Sequence, residues 1–238
     1  KTQVIKTSVQ TITFNALSAK TYGDADFSPG GTATSGLSVV YASSNESVAT
    51  IVEGQIHIVG AGSTTISANQ AGNSTYAAAE EVSQTLAVNK ATATVTLGSL
   101  SATYNGEAKT ATATTSPADL SVGFTYDGEA TAPTNAGTYA VVGTINNANY
   151  QGSANGSLVI AKATATVTLG SLSATYDGEA KAVSASTSPA DLSVEFTYDG
   201  EATVPTNAGT YVVVGSINNA NYQGSANGSL VIGKATAT

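Results

Sequence analysis

Ala91-Thr92-Ala93-Thr94-Val95-Thr96-Leu97 alternates a small or apolar side chain with threonine at every step. A period of two belongs to a β-strand with one buried face and does not fit the 3.6-residue period of an amphipathic helix. The same seven residues recur from Ala163 to Leu169. Around them the recurrence widens: Lys90 and Lys162 open two units with a period of 72 residues, about 60 of which are identical between the copies. Lys234-Ala235-Thr236-Ala237-Thr238 starts the pattern a third time, so the chain is expected to be a piece of a longer tandem array. A period longer than that of solenoid repeats implies beads, each with its own core.

Alternation continues through each unit. Leu120, Val122, Phe124 and Tyr126 share one face, and Gly123 on the other face becomes Glu195 in the second copy, a change suited to solvent and costly in a core. Tyr139, Val141 and Ile145 are expected inward, because the positions between them vary, Ala140 becoming Val212 and Thr144 becoming Ser216. Four Tyr-Asx-Gly-Glu runs, from Tyr104, Tyr126, Tyr176 and Tyr198, read as one tight hairpin turn used twice per repeat. Pro117, Pro133, Pro189 and Pro205 mark further loops or strand edges. No segment of ten residues carries helical periodicity.

The prediction is an all-β chain of tandem small antiparallel β-sandwiches of Ig-like type, with about six or seven strands each. The expected divisions are a divergent segment 1–89, repeats 90–161 and 162–233, and residues 234–238 as the first strand of a next repeat. Only Ala161-Lys162 separates the last strand of one repeat from the first of the next, so the beads are expected to form a stiff, elongated rod.

Composition narrows the function. The 238 residues contain no Cys, Met or Trp, and charged residues make up 10%. A chain with nothing to oxidise suits an extracellular setting. The formal charge of −8 is distributed as −3 over 1–89, −2 and −4 over the two repeats and +1 from Lys234. Eight lysines without a basic cluster argue against nucleic acid and against an anionic membrane surface. No apolar run approaches the ~20 residues of a membrane helix, so any export signal or anchor is expected outside this fragment.

Segment 1–89 echoes the repeats at two places. Asn73-Ser74-Thr75-Tyr76 parallels Asn147-Ala148-Asn149-Tyr150, and Ser18-Ala19 with Tyr22-Gly23 parallels Ser101-Ala102 with Tyr104 and Gly106. One fold used three times is the simplest account. Its middle, Tyr41 to Ala49 followed by Gly60 to Ile66, resembles the bacterial immunoglobulin-like repeats of intimin- and invasin-type surface proteins. Residues 90–233 carry Lys-Ala-Thr at the entry, Tyr-Asx-Gly, Ala-Gly-Thr-Tyr at 136–139 and 208–211, and Asn-Tyr-x-Gly at 149–152 and 221–224. In these they resemble the MBG and YDG-type repeats of large secreted bacterial proteins. The resemblance implies an all-β, extracellular, adhesin-like protein and supplies no catalytic or ligand residue.

Chemistry-bearing residues are few. His57 is the only histidine and alternates with Ile56 and Ile58, which makes it a surface strand residue; a triad with Ser63 or Ser67 lacks a supporting acid. One histidine without cysteine leaves no ordinary transition-metal site. Calcium is the alternative, with Asp127, Glu129, Asp199 and Glu201 as its ligand pool, although these lie in separate turns. Lys109 and Lys181, two residues after Glu107 and Glu179, raise the alternative of an internal isopeptide bond. Asn45, Asn73, Asn155 and Asn227 begin glycosylation triplets that so Asn- and Ser-rich a chain produces by chance.

No catalytic, cofactor-binding or metal residue is assigned, and no enzyme activity is expected. The primary expectation is a structural stalk or spacer of a secreted or cell-surface bacterial adhesin-like protein, whose partners are the neighbouring repeats. The alternatives are a glycan- or protein-binding module in segment 1–89, directed at a host or cell-surface partner, and a filament subunit that donates its terminal strand to a homopolymer.

Overall fold

A computed structural model describes residues 7–236. Among them every regular element is a β-strand. The chain divides into two compact units. One holds the chain up to Thr96 with Ala113–Gly123 and Gly143–Ala154; the other holds Leu97–Thr112, Phe124–Val142 and the chain from Asn155 onward.

The second repeat lies within the latter unit and has eight strands, one more than the sequence suggested. Thr166–Gly170 pairs antiparallel with Ser184–Ser188 as one small sheet. The larger sheet runs Ser173–Thr175, Ser225–Gly233, Gly209–Ile217, Val194–Tyr198 in spatial order. Leu169, on the small sheet, closes on the Cα atoms of Gly215 and Gly228, where an added Cβ would come within 2.9 and 3.0 Å of its methyl carbons. Two glycines therefore let the sheets approach closely around a core of Val183, Tyr198, Val213, Leu230 and Ile232. The expected alternation holds: Val213 is buried between exposed Val212 and half-buried Val214, and both Gly123 and Glu195 face solvent.

Two pairings in this repeat are parallel, which local alternation cannot announce. Ala163–Thr164 runs alongside Tyr222–Gln223, and Ser173–Thr175 alongside Val231, Ile232 and Gly233 of the last strand. The first repeat repeats both, with Ala91–Thr92 beside Tyr150–Gln151 and Ser101–Thr103 beside Val159, Ile160 and Ala161. Segment 1–89 shows the same pattern, with a Ser8 to Tyr76 bridge and Lys20–Thr21 beside Val88 and Asn89. The fold is thus shared despite the diverged sequence. Segment 1–89 differs by a hairpin, Ala49–Val52 with Gln55–Ile58, which places Ile56 and Ile58 in a core with Phe14, Ile66 and Leu86.

The four Tyr-Asx-Gly turns are not one design. At Asp127-Gly128 and Asp199-Gly200 both residues have positive φ, 49° and 90° in the first pair and 48° and 89° in the second, as a two-residue hairpin turn requires. Tyr126 and Glu129 exchange backbone hydrogen bonds across it, as do Tyr198 and Glu201. At Asn105-Gly106 and Asp177-Gly178 only the glycine has positive φ. There the preceding strand pairs parallel with the last strand, so no hairpin partner follows, and the Asx side chain instead accepts the N–H of Glu107 or Glu179. Pro117 and Pro189 end the strands Thr112–Ser116 and Ser184–Ser188. Lys234, Ala235 and Thr236 form no strand, and the rest of the expected 234–238 strand lies outside the described residues.

The hairpin tyrosines also complete the core. Tyr198, 4% exposed, accepts the Val183 N–H on its hydroxyl at 3.1 Å, and Tyr126 does the same for Ala111 at 2.8 Å. Tyr198→Phe keeps the ring and strands a buried N–H, so a loss of about 1–3 kcal/mol is expected. Chemical denaturation checks this; a midpoint equal to that of the parent would refute the assigned role.

Candidate functional site

The residues singled out for chemistry are dispersed. His57 sits in the strand Gln55–Ile58 with its side chain outward, and its Nδ1 lies 2.7 Å from Asp26 Oδ1. Asp26 is an acid that sequence reading did not connect to it, 31 positions away with no motif between. Neither Ser63 nor Ser67 is among the hydrogen-bond partners of His57. Asp127 and Asp199 turn a carboxylate oxygen onto the backbone N–H of Ala140 and Val212, at 2.8 and 2.7 Å. They thereby tie the hairpin to the neighbouring strand, and Glu129 and Glu201 face solvent beside them. Among the described residues no three His, Asp or Glu side chains gather in a way that holds a metal ion.

Lys109 meets Asn105 rather than Glu107, and Asn105 in turn donates to Glu107 Oε2 at 3.0 Å. Lys181 forms an ion pair with Asp177. The hydrogen bond from Lys181 and then that from the Glu179 N–H hold the Asp177 carboxyl below its ordinary value. The Lys181–Asp177 pair, four residues apart, closes the Asx-Gly loop on itself. A shallow depression of about 460 Å³ in segment 1–89 is lined by Tyr41, Ser43, Glu46 and Thr50. Tyr41 stands edge-on to Phe14 at 5.7 Å and gives its hydroxyl to the Gly31 carbonyl.

The side chains that do converge are those of the repeated Tyr-Asx-Gly and Asn-Ala-Asn-Tyr motifs. In Asn147-Ala148-Asn149-Tyr150 the Asn147 side-chain Oδ1 accepts the N–H groups of Asn149 and Tyr150, at 2.8 and 3.1 Å, and folds a compact turn. Lys90 caps that turn by donating to the Asn147 backbone carbonyl at 2.6 Å. Asn149 and Tyr150 then project together. Asn149 Oδ1 accepts the Ala61 N–H at 2.9 Å, and the Tyr150 ring meets the Tyr22 ring edge-on, with centroids 5.4 Å apart at 83°. Gly60 gives Asn149 room, since a Cβ there would lie 3.3 Å from its Oδ1 and only 2.6 Å from the Ser47 carbonyl.

The second unit repeats this clasp one period later. Asn219 folds the turn through the N–H groups of Asn221 and Tyr222, and Lys162 caps it at 2.7 Å. Asn221 Oδ1 accepts the Ala136 N–H at 2.8 Å and its Nδ2 donates to Asn135 Oδ1 at 3.0 Å. Tyr222 meets Tyr104 edge-on at 5.3 Å and 80°. An edge-to-face aromatic pair is worth about 0.5–1.5 kcal/mol beyond its buried area. A hydrogen bond adds about as much again. Each clasp joins residues more than 80 positions apart and so links separate segments of the chain.

Comparison with known proteins agrees with the repeat. A family model described as MBG domain matches residues 93–164 and again residues 165–236. No curated protein matches the chain. Among solved structures, Sidekick-1 immunoglobulin domains 1–5 share 10% identity at a TM-score of 0.34 over 98% of this chain, which spans 61% of that one. Drosophila N-cadherin EC1-4 shares 11% at 0.28, covering 96% and 73% of the two chains. The Bacteroides ovatus mixed-linkage glucan utilization locus protein SGBP-B, in complex with a mixed-linkage heptasaccharide, shares 12% at 0.26, covering 95% and 71%.

Proposed function

The chain belongs to the MBG domain family, and from that premise we propose that it acts as a structural spacer in an extracellular or cell-surface bacterial adhesin-like protein, without catalysis of its own. The observation that carries this reading is the clasp. The motifs that recur between the repeats, and that segment 1–89 retains in part, are spent on holding one segment to the next. A binding module would need to keep side chains free for a ligand.

A spacer has to resist bending at its joints. Two features support resistance here. A single residue, Lys162, separates Ser153–Ala161 from Ala163–Thr164, and Lys90 alone separates Val82–Asn89 from Ala91–Thr92. Each clasp then adds non-covalent contacts beside that covalent link, where Tyr150 lies alongside Ala91 and Tyr222 alongside Ala163, and these contacts restrict rotation at the joint. The acidic surface, at −8 overall, favours solubility over self-association.

Small-angle scattering tests the proposal. Three beads in line give a radius of gyration near about 27 Å, against about 18 Å for one globule of this length. The doubly substituted Asn221→Ala, Tyr222→Ala chain should keep its secondary structure while its scattering profile broadens toward a flexible ensemble. A parent value near that of the single globule, or a double variant indistinguishable from the parent, would remove the spacer reading.

A further inference from the structure

The second repeat carries the receiving half of the clasp, and among the described residues no Asn-Ala-Asn-Tyr turn is seated on it. Tyr176 is the counterpart of Tyr22 and Tyr104, and Ala208 that of Ala136. Tyr22, Tyr104 and Ala136 are half-buried beneath Tyr150, Tyr222 and Asn221, whereas Tyr176 is 40% exposed and Ala208 is also exposed. The local scaffold is unchanged. Tyr176 N–H donates to the Gly233 carbonyl as Tyr104 N–H donates to that of Ala161, and the Tyr211 hydroxyl holds the Asn207 carbonyl at 2.9 Å as Tyr139 holds that of Asn135.

We propose that Tyr176, Asn207 and Ala208 form a preformed socket whose occupant is the Asn-Ala-Asn-Tyr turn of a further repeat of the same kind. The inference rests on the spacer reading and adds a specific partner and polarity to it. Both occupied sockets in this molecule take an asparagine amide onto an Ala N–H and a tyrosine edge onto a tyrosine face, so the same chemistry selects the third occupant. A second copy of this chain fits less well. Its segment 1–89 offers Asn73-Ser74-Thr75-Tyr76, in which Thr75 replaces Asn149 and Asn221 and has no side-chain amide.

Tyrosine nitration by tetranitromethane, mapped by peptide mass spectrometry, reads socket occupancy directly. In the chain as it stands, Tyr176 should react about fivefold or more faster than Tyr22 or Tyr104, the ratio set by a contact of this strength. Tyr222→Ala should raise Tyr104 to the rate of Tyr176. Inserting a copy of residues 162–233 after Gly233 should lower Tyr176 by about the same factor, and the matching tyrosine of the added copy should become the reactive one. If Tyr176 stays equally reactive in the extended chain, or Tyr104 ignores the loss of Tyr222, the proposal fails. Protection of Tyr176 that grows with the concentration of the parent chain would replace the further repeat by a second copy and overturn the assigned occupant. Scattering on the same extended chain separates the two ideas: a shielded Tyr176 without a larger radius of gyration rejects the spacer and leaves the socket, and the converse rejects the socket alone.

Discussion

Leu230→Ala is expected to make the second repeat melt well before segment 1–89. Leu230 is fully buried among Val183, Tyr198, Val213 and Ile232. Removing its Cγ and two Cδ carbons forfeits their transfer free energy and leaves a cavity, together about 2–5 kcal/mol. A bead of about 70 residues has only about 4–10 kcal/mol to lose, at the usual stability per residue. The loss is contained, because the core of segment 1–89, built on Phe14, Ile56, Ile66 and Leu86, shares no residue with that around Leu230. Thermal unfolding followed by circular dichroism should therefore show an early transition absent from the parent, and limited proteolysis should cut first within 162–233. A single transition at the parental midpoint would refute independent cores.

Gly224→Ala is expected to be about as damaging, for a different reason. A Cβ on Gly224 would lie 2.0 Å from the Ala165 carbonyl oxygen, a backbone atom that has no rotamer to escape into. Both sides are tied there: Ala165 N–H donates to the Gln223 carbonyl at 2.8 Å, and Ile217 N–H to that of Gly224 at 2.9 Å. The parallel pair Ala163–Thr164 with Tyr222–Gln223 must separate, at an expected cost of about 3 kcal/mol. Because that pair also aims Tyr222 at Tyr104, the substitution should both lower the melting temperature and expose Tyr104. Gly152→Ala, 2.1 Å from the Ala93 carbonyl, should behave alike at the other clasp. Wild-type melting in Gly224→Ala would show that the strands have slack the geometry denies.

What the sequence disclosed and what it withheld divide along physical lines. Alternation is a local property, so the buried Ala93 and Val95 beside exposed Thr94 were legible from seven residues. The parallel pairings were not, because they join the start and end of a repeat and leave no mark on the period of either strand. Tyr-Asx-Gly misled for a related reason: the three residues permit a hairpin at Tyr104 and at Tyr126 equally, and only the partner of the preceding strand decides between them. The clasp left a signal with a second meaning beyond common fold. Asn73 to Tyr76 and Tyr22-Gly23 are among the few motifs segment 1–89 shares with the repeats, and they stand out as an echo of common fold. Tyr22 is in fact a contact residue, while the Asn73 turn retains the form of a plug with Thr75 in the place of its amide.

The parallel alignment of Ser173–Thr175 with Val231, Ile232 and Gly233 bears on how the second repeat answers a pulling force. Tension applied at its two ends drags these neighbours in opposite directions along their own length, so their hydrogen bonds are loaded in shear and must yield together. An antiparallel hairpin pulled from its open end would unzip one bond at a time. A tether between moving surfaces gains from the first arrangement, since its resistance comes from strand direction and does not require a larger core.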